Sequence, residues 1–573
     1  MIKISLREGE ISLKNIDAYY KKEFKKARYL QPFMDEVEQE IEAFLNREKL
    51  IGVDYEDYLA YLESGSRLES EKNYFQNRKE LVALGLYLQW NQDEKAMKRF
   101  KKLVWQVCQE YTWALPAHLK EEASSFKDPK TTLDLFAAET AQMLAEFLIV
   151  FADHFEPLLL NEVAHNIKER VLNPFYDQSW PWETFHNNWS AVCGGCIGIV
   201  ALILESEERK DETVQRCLQA LNCFLDGYGE DGCCTEGISY WVYGFGYYLY
   251  FIDLYEFMTG ESLLEAEKIT QIASFPGKIQ WDLQRFVPFS DTTSVAHVPT
   301  SLQSFFYERL GIIPLGSKEV SSFHFDHCYR WGHLSRVLWW SIPLDPYFIE
   351  TSQAHYLADA QWIVFKSEKL FFAAKGGHND EPHNHNDLGH FVLGRKDQLI
   401  LTDMGAGLYT ADYFGQQRYE HIHTQSQWHS VPIINHQGQS TGLNYCAEVD
   451  FIEMTSSNCQ FHLNLSQAYD LKTKIWRIFQ LDATLGELVL IDKVEAQHAY
   501  QTNFISQELP KILDGCVLWE NLQLTFQADL YDVWVDRRDI QNHFGQDEVI
   551  YRVCFVSNKQ QEEYRFTFNV SLN

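Results

Sequence analysis

Positive charge is what this 573-residue chain has least of: 50 Lys and Arg stand against 81 Asp and Glu, a formal net charge of −31. A field of that sign repels phosphate backbones and anionic lipid surfaces, which argues against nucleic acid and membranes as partners. An anionic substrate is not excluded, because a local cleft of hydrogen-bond donors overrides a global field. No stretch is long and apolar enough to span a bilayer, and no basic segment leads into an apolar run near Met1. A cytoplasmic location is therefore expected. Regular cysteine spacing is also missing. Among 12 cysteines, Cys193 and Cys196 form a C-x-x-C with no second pair at zinc-ribbon spacing, so reduced, packed thiols are the simpler expectation. Internal repeats, low-complexity tracts and long linkers are absent as well.

Aromatic rings are abundant, with 38 Phe, 30 Tyr and 16 Trp, enough to fill a large core and still line a sugar-binding groove. The length calls for two large domains. From about Asp35 to Thr259, apolar residues recur at spacings of three and four, as in Arg78 to Leu88, Met97 to Tyr111, Leu133 to Phe151 and Val192 to Leu204. Consecutive helices with short breaks imply helix pairs in a bundle or toroid. Beyond about Tyr347 the texture changes to short β-rich runs such as Trp362 to Phe365, Phe391 to Leu393, Leu399 to Leu401 and Leu488 to Ile491. Without intervening helices, these imply an antiparallel sandwich. The expected division is a helical domain over 1–345 and an all-β domain over 346–573.

The densest chemistry lies in Gly377 to Phe391, which carries His378, His383, His385 and His390 among asparagines and acids. On a strand, His383 and His385 would point the same way, and such a pair can bind metal or move protons. Asp403 at the end of an apolar strand and His429 before another could join them. Two histidines and a carboxylate, with water, would complete a four-coordinate zinc site. A second cluster is Asn187-Asn188-Trp189, where one asparagine is expected to cap the following helix, leaving the other for ligand. In the third, Glu236, Tyr240, Tyr243 and Tyr247 recur at helical spacing, and a tyrosine near a histidine is suitable acid/base equipment.

Taken in order, these segments resemble the heparinase II/III-like polysaccharide lyases, a group that includes oligoalginate lyases. The resemblance runs through Asn-Asn-Trp at 187–189, Asp-Gly-x-x-x-Glu-Gly-x-x-Tyr-Trp-x-Tyr at 231–243, Phe289-Ser290-Asp291, His383 to Phe391, Thr402 to Gly405 and Trp428 to Ser430. It implies an N-terminal (α/α) toroid, an incomplete helical barrel, followed by a C-terminal antiparallel β-sandwich. It also implies β-elimination at a uronic acid of a glycosaminoglycan or alginate. By motif, Asn188 would neutralise the uronate carboxylate, with Asn187 as second choice. Tyr240 would be the acid and also the base on one face, and His383 the partner base or a charge neutraliser. Glu236, Tyr243 and Trp189 would contact substrate, with Tyr243 competing for the role of Tyr240. His385, Asp403 and His429 match the zinc ligands, where the metal is structural. The chain departs from the pattern at Trp189, where several relatives have His, and at His390, often a small residue. A further family tyrosine corresponds to Tyr413 or Tyr419.

Two rival readings remain at this stage. His383-x-His385-x-Asp387 matches the start of a metal-dependent hydrolase motif, but Leu388 stands where its last histidine belongs. A non-catalytic glycan-binding protein would draw only on the aromatic content. Few Arg or Lys flank the motifs, which favours a lightly sulfated or unsulfated glycan. The sequence leaves open which uronate is cleaved and whether the chain forms a homodimer.

Overall fold

A computed structural model describes residues 3–6, 9–12, 16–20, 28–122, 125–292, 295–316, 319–344, 353–367, 370–395, 397–495 and 497–571. The domain boundary expected at 345/346 lies outside the described residues. The chain forms two compact units: Met1–Tyr228, Tyr240–Thr270 and His297–Tyr347 in the first, and Gly229–Ser239, Gln271–Ala296 and Phe348–Asn573 in the second.

The first unit is built of helices, several of which start at a short polar side chain that caps them. Asp93 Oδ1 accepts from the Lys95 and Ala96 N–H groups (2.8 and 2.9 Å) to open Glu94–Cys108. Asp134 Oδ1 accepts from Ala137 N–H (2.7 Å) to open Leu135–Val150. The helices Leu135–Val150 and Asn188–Leu204 are predominantly apolar and almost wholly buried, as interior helices are, the first with Glu139, Gln142 and Glu146 held by buried partners. Glu207–Asp226 shows the outer helix's pattern, burying one face and exposing the other. Gly195 and Gly198 let the interior helix approach closely: a Cβ would meet the Tyr247 backbone oxygen at 2.7 Å and the Phe251 ring at 2.5 Å. Cys193 and Cys196 lie buried in this helix, with Cys196 Sγ donating to Gln142 Oε1 (3.1 Å), and burial pushes both thiols up. None of the twelve cysteines forms a disulfide.

The second unit is antiparallel β-structure. A five-stranded sheet runs in the order Leu399–Leu401, Phe391–Gly394, Phe371–Lys375, Trp362–Lys366, Gln353–Leu357. An eight-stranded sheet contains Asn458–Asn464, Ile475–Asp482, Glu487–Val494 and Glu563–Val570 as successive neighbours, and a four-stranded sheet contains Pro432–Ile434, Tyr500–Ser506, Asp547–Ser557 and Tyr531–Gln541. Strand Ile475–Asp482 alternates buried and half-buried residues strictly, the signature of one core-facing side. Phe391, Phe479, Phe504 and Phe568 meet edge to face within this core. Arg477 lies fully buried among them, paired with Asp492 (2.8 and 2.7 Å). Its Nη1 donates to the carbonyls of Gly389 and Ser430.

Two segments from the helical half of the sequence belong to this unit for specific reasons. Asp231 Oδ2 accepts from Asp359 and Ala360 N–H (2.8 and 3.1 Å). Thr235 donates to Glu381 (2.8 Å), and Ser290 donates to the Thr235 carbonyl (2.7 Å).

Candidate functional site

In the β-rich unit, the histidine-rich segment is not the strand expected from its alternation. Only His378–Asn379 pairs as a strand, and turns occupy the chain from there to Phe391. Pro382 lacks a ladder N–H, and His383 takes a left-handed φ of +57°, so the pleat cannot continue. His383 and His385 nevertheless converge, because one buried carboxylate receives both. Asp291 Oδ2 lies 2.9 Å from His383 Nδ1, and Oδ1 lies 2.9 Å from His385 Nε2. Tyr413 and Arg418 also donate to Asp291, at 2.6 and 2.9 Å. Burial opposes its charge, but the histidine hydrogen bonds and Arg418 hold its carboxyl well below the usual range. On its other side, His383 Nε2 lies 3.6 Å from Glu236 Oε2. Tyr409 and the half-exposed Phe414 stand 6.4 and 6.0 Å from the His383 ring. Glu236 lies in a turn ahead of the helix Ile238–Thr259, so it does not share a helical face with the tyrosines.

His385, Asp387, Asp403 and His429 are buried, with one potential ligand atom each, all within 4.8 Å of one another. His429 Nδ1 lies 3.0 Å from the Gln425 carbonyl, which can only accept, so its proton sits there and Nε2 carries a lone pair. His385 Nε2 is fixed the same way by Asp291, leaving a lone pair on Nδ1. These two acceptor nitrogens face each other at 3.3 Å, with Asp403 Oδ2 at 3.7 Å from His429 Nε2. Asp387 Oδ2 accepts no hydrogen bond among the described residues. Converging imidazole nitrogens and carboxylates, one of whose oxygens is sealed and unsatisfied, fit a bound cation. Burial pushes the His429 imidazole down to about 4, in keeping with a neutral ligand ring. His390 fills the place expected of a small residue by packing its ring against His429 (5.1 Å) with Nε2 3.1 Å from Asp403 Oδ2. Asp387 Oδ1 is engaged by Lys375 (2.8 Å). In the helical unit, Asp326, His327 and Cys328 also bring donor atoms together, but both Asp326 oxygens are engaged by Arg330 and backbone N–H groups.

The helical unit holds the asparagine pair. Asn187 is the cap, its Oδ1 accepting from Trp189 N–H (3.1 Å). Asn188 is the first residue of the helix and only 4 % exposed, yet its carboxamide has no partner among the described residues and is not sealed from solvent. Trp189 is half-buried. Tyr240 lies half-buried in the first turn of Ile238–Thr259. Tyr243 is buried, donates to Glu139 and lies beneath Arg330 (4.1 Å); burial and then Glu139 push its phenol well up.

Sequence reasoning did not single out Asp291, Arg418 or Arg477 as parts of the site. Asp291 stood in the Phe289-Ser290-Asp291 motif, so a signal existed. Arg477, an arginine in a core-facing register on a strand, carried none beyond its improbable position.

No protein-family model matches the chain, and no curated protein matches it. Its fold is found among solved structures. A crystal structure of heparinase III superposes with a TM-score of 0.62 at 12 % identity, covering 94 % of this chain and 92 % of that one. The heparan sulfate lyase HepC from Pedobacter heparinus gives 0.59 at 13 %, covering 94 % and 88 %. A variant of the chondroitin AC lyase from Streptomyces coelicolor A3 gives 0.50 at 9 %, covering 96 % and 80 %. At these identities the likeness is one of fold: an α/α toroid followed by an antiparallel β-sandwich, the architecture of glycosaminoglycan lyases. Among the described residues, no helix is long and apolar enough to cross a membrane.

Proposed function

We propose that the protein is a lyase that cleaves a uronate-containing glycan by β-elimination, leaving a 4,5-unsaturated uronate. The observation that carries this reading is the Asn188 carboxamide, an unpartnered amide in a nearly buried residue at a helix N-terminus. Its N–H donors and the positive end of the helix dipole suit a carboxylate. Neutralising that carboxylate acidifies the adjacent C5–H and stabilises the enolate-like intermediate. A base removes the C5 proton, the C4–O4 bond breaks as C4=C5 forms, and an acid returns a proton to O4. Tyr240 is assigned the acid, and His383 the base or its charge-stabilising partner. Asp291, 2.9 Å from His383 Nδ1, orients the ring so that Nε2 is turned toward the side where Glu236 lies. Engagement of Tyr243 by Glu139 supports Tyr240 over Tyr243. Asn187, Trp189 and Glu236 are assigned to substrate contact.

His385, Asp403 and His429, with Asp387 beside them, would hold zinc. The ion would supply positive charge that satisfies their lone pairs and braces the turns around His383. Fold likeness to heparan sulfate and chondroitin lyases favours an anionic glycosaminoglycan as substrate.

The test is ultraviolet absorbance of the unsaturated uronate during incubation with heparan, chondroitin, hyaluronan and alginate oligomers. Activity lost in both Tyr240→Phe and His383→Ala, in folded protein, is the expected result. No absorbance gain on any uronate glycan by zinc-loaded protein overturns the reading.

A further inference from the structure

Besides the Asn188 carboxamide, two more polar groups of the helical unit have no partner among the described residues: the Trp189 indole N–H and His118 Nε2. His118 ends the short turn Pro116–His118, and its ring lies 4.9 Å from that of Trp189 and 6.0 Å from that of Phe136. Nothing in the sequence pattern marks it. Its geometry does.

His118 Nδ1 lies 2.7 Å from Asp134 Oδ2. That carboxylate also accepts from Leu115 N–H (3.2 Å) and, through Oδ1, from the Ala137 N–H it caps (2.7 Å). Asp134 is thus tied to the backbone on both sides and serves as an acceptor throughout. In the neutral ring the His118 proton lies on Nδ1, and Nε2 presents a lone pair. The side chain is 13 % exposed and Nε2 is not sealed, so the lone pair is reachable from solvent. A hydrogen-bond acceptor held rigidly beside an indole face is equipped to bind a sugar ring: apolar C–H against the ring, a hydroxyl against the nitrogen.

We infer that His118 is a specificity-determining contact of the glycan site, accepting a hydrogen bond from a free hydroxyl of the sugar that lies against Trp189. Asp134 is its positioning residue. The inference rests on the glycan-lyase reading and names what that reading leaves open. A sulfate ester offers only acceptor oxygens, so at this position it meets the Nε2 lone pair with no proton to share. The contact therefore selects sugars that are unsulfated there, which agrees with the scarcity of cations in the chain.

The test compares matched oligosaccharides, unsulfated chondroitin against O-sulfated chondroitin and unsulfated heparosan against O-sulfated heparan. Each is assayed for cleavage and, separately, for calorimetric binding to the full chain. His118→Ala is expected to lower kcat/KM for the unsulfated member about tenfold, through KM, and to leave the sulfated member unchanged. His118→Gln restores an acceptor and is expected to recover most of the loss, which separates a lost contact from a damaged fold. Glycan that binds wild type without being cleaved, and whose unsulfated form binds His118→Ala more weakly, removes the lyase reading and retains this one. The inference is overturned if wild type binds none of these glycans, if both members weaken alike, if neither changes, or if the sulfated member alone is lost.

Discussion

His385 Nδ1 and His429 Nε2 face each other across 3.3 Å, each with its other ring nitrogen already engaged, by Asp291 and by the Gln425 carbonyl. At that distance the two nitrogens are held together either by a shared proton or by a metal ion between them. The protein is expected to carry one zinc ion per chain by elemental analysis, and Asp403→Asn and His429→Ala are expected to lose it. Removing the metal from wild type with a strong chelator lowers the melting temperature, and zinc restores it. A chelator-treated protein that melts unchanged removes the cation from this cluster.

Asp291 is the shared partner of His383 and His385, so Asp291→Asn acts on both without touching substrate. An amide in its place can donate to an imidazole nitrogen and reverse its tautomer. Activity is expected to fall by roughly two orders of magnitude or more with circular dichroism retained, and the melting temperature falls as well because the half-buried Arg418 loses its carboxylate partner. A change in kcat without a change in KM identifies orientation of the base rather than binding.

Tyr240→Phe is expected to abolish elimination and preserve stability. Tyr243→Phe should do the reverse, because its phenol donates to the buried Glu139. Loss of that donor costs about 1–3 kcal/mol in denaturant unfolding. If Tyr243→Phe alone abolishes turnover, the two assignments exchange.

Glu139 provides a pH test of the helical unit. Burial, opposed by Arg330 and the Tyr243 hydrogen bond, pushes its carboxyl from 4.5 up to about 7. A raised carboxyl favours the folded protein while protonated. That contribution is complete below about pH 4.5 and is lost as pH rises to about 7. Relative to Glu139→Gln, wild type should lose on the order of 3 kcal/mol across this window. Parallel stability curves for the two proteins would refute the assignment.

Arg477 and Asp492 form a fully buried pair inside the sandwich. Arg477→Met leaves the carboxylate without its partner and is expected to cost about 3–5 kcal/mol. Replacing both members together, by Met and Leu, should recover much of that loss.

The two-layered reading of the sequence rested on periodicity, and periodicity reports burial. Helices such as Leu135–Val150 and strands such as Ile475–Asp482 were legible because each has a continuous buried face. The turn segment around His383 misled for the same reason: alternating polar residues imitate a strand when hydrogen bonds, rather than a ladder, set their directions. Asp291 could be read only as part of a motif, since its role depends on His383, His385, Tyr413 and Arg418, which lie about 90–130 residues later in the chain. The asparagine pair was half legible. Capping chemistry foretold that one residue would be taken, and the helix start at Asn188 selected Asn187.

The Arg477 guanidinium, which holds the carbonyls of Gly389 and Ser430 from within the core, has a consequence for how the site matures. These carbonyls adjoin His390 and His429, so folding of the sandwich already sets the turns that carry the cluster. An ion bound there would find its ligands in register and forfeit little affinity to ordering them. On the zinc reading, such a protein would complete its folding where free metal is scarce, wait as a stable apo form, and load afterwards without refolding.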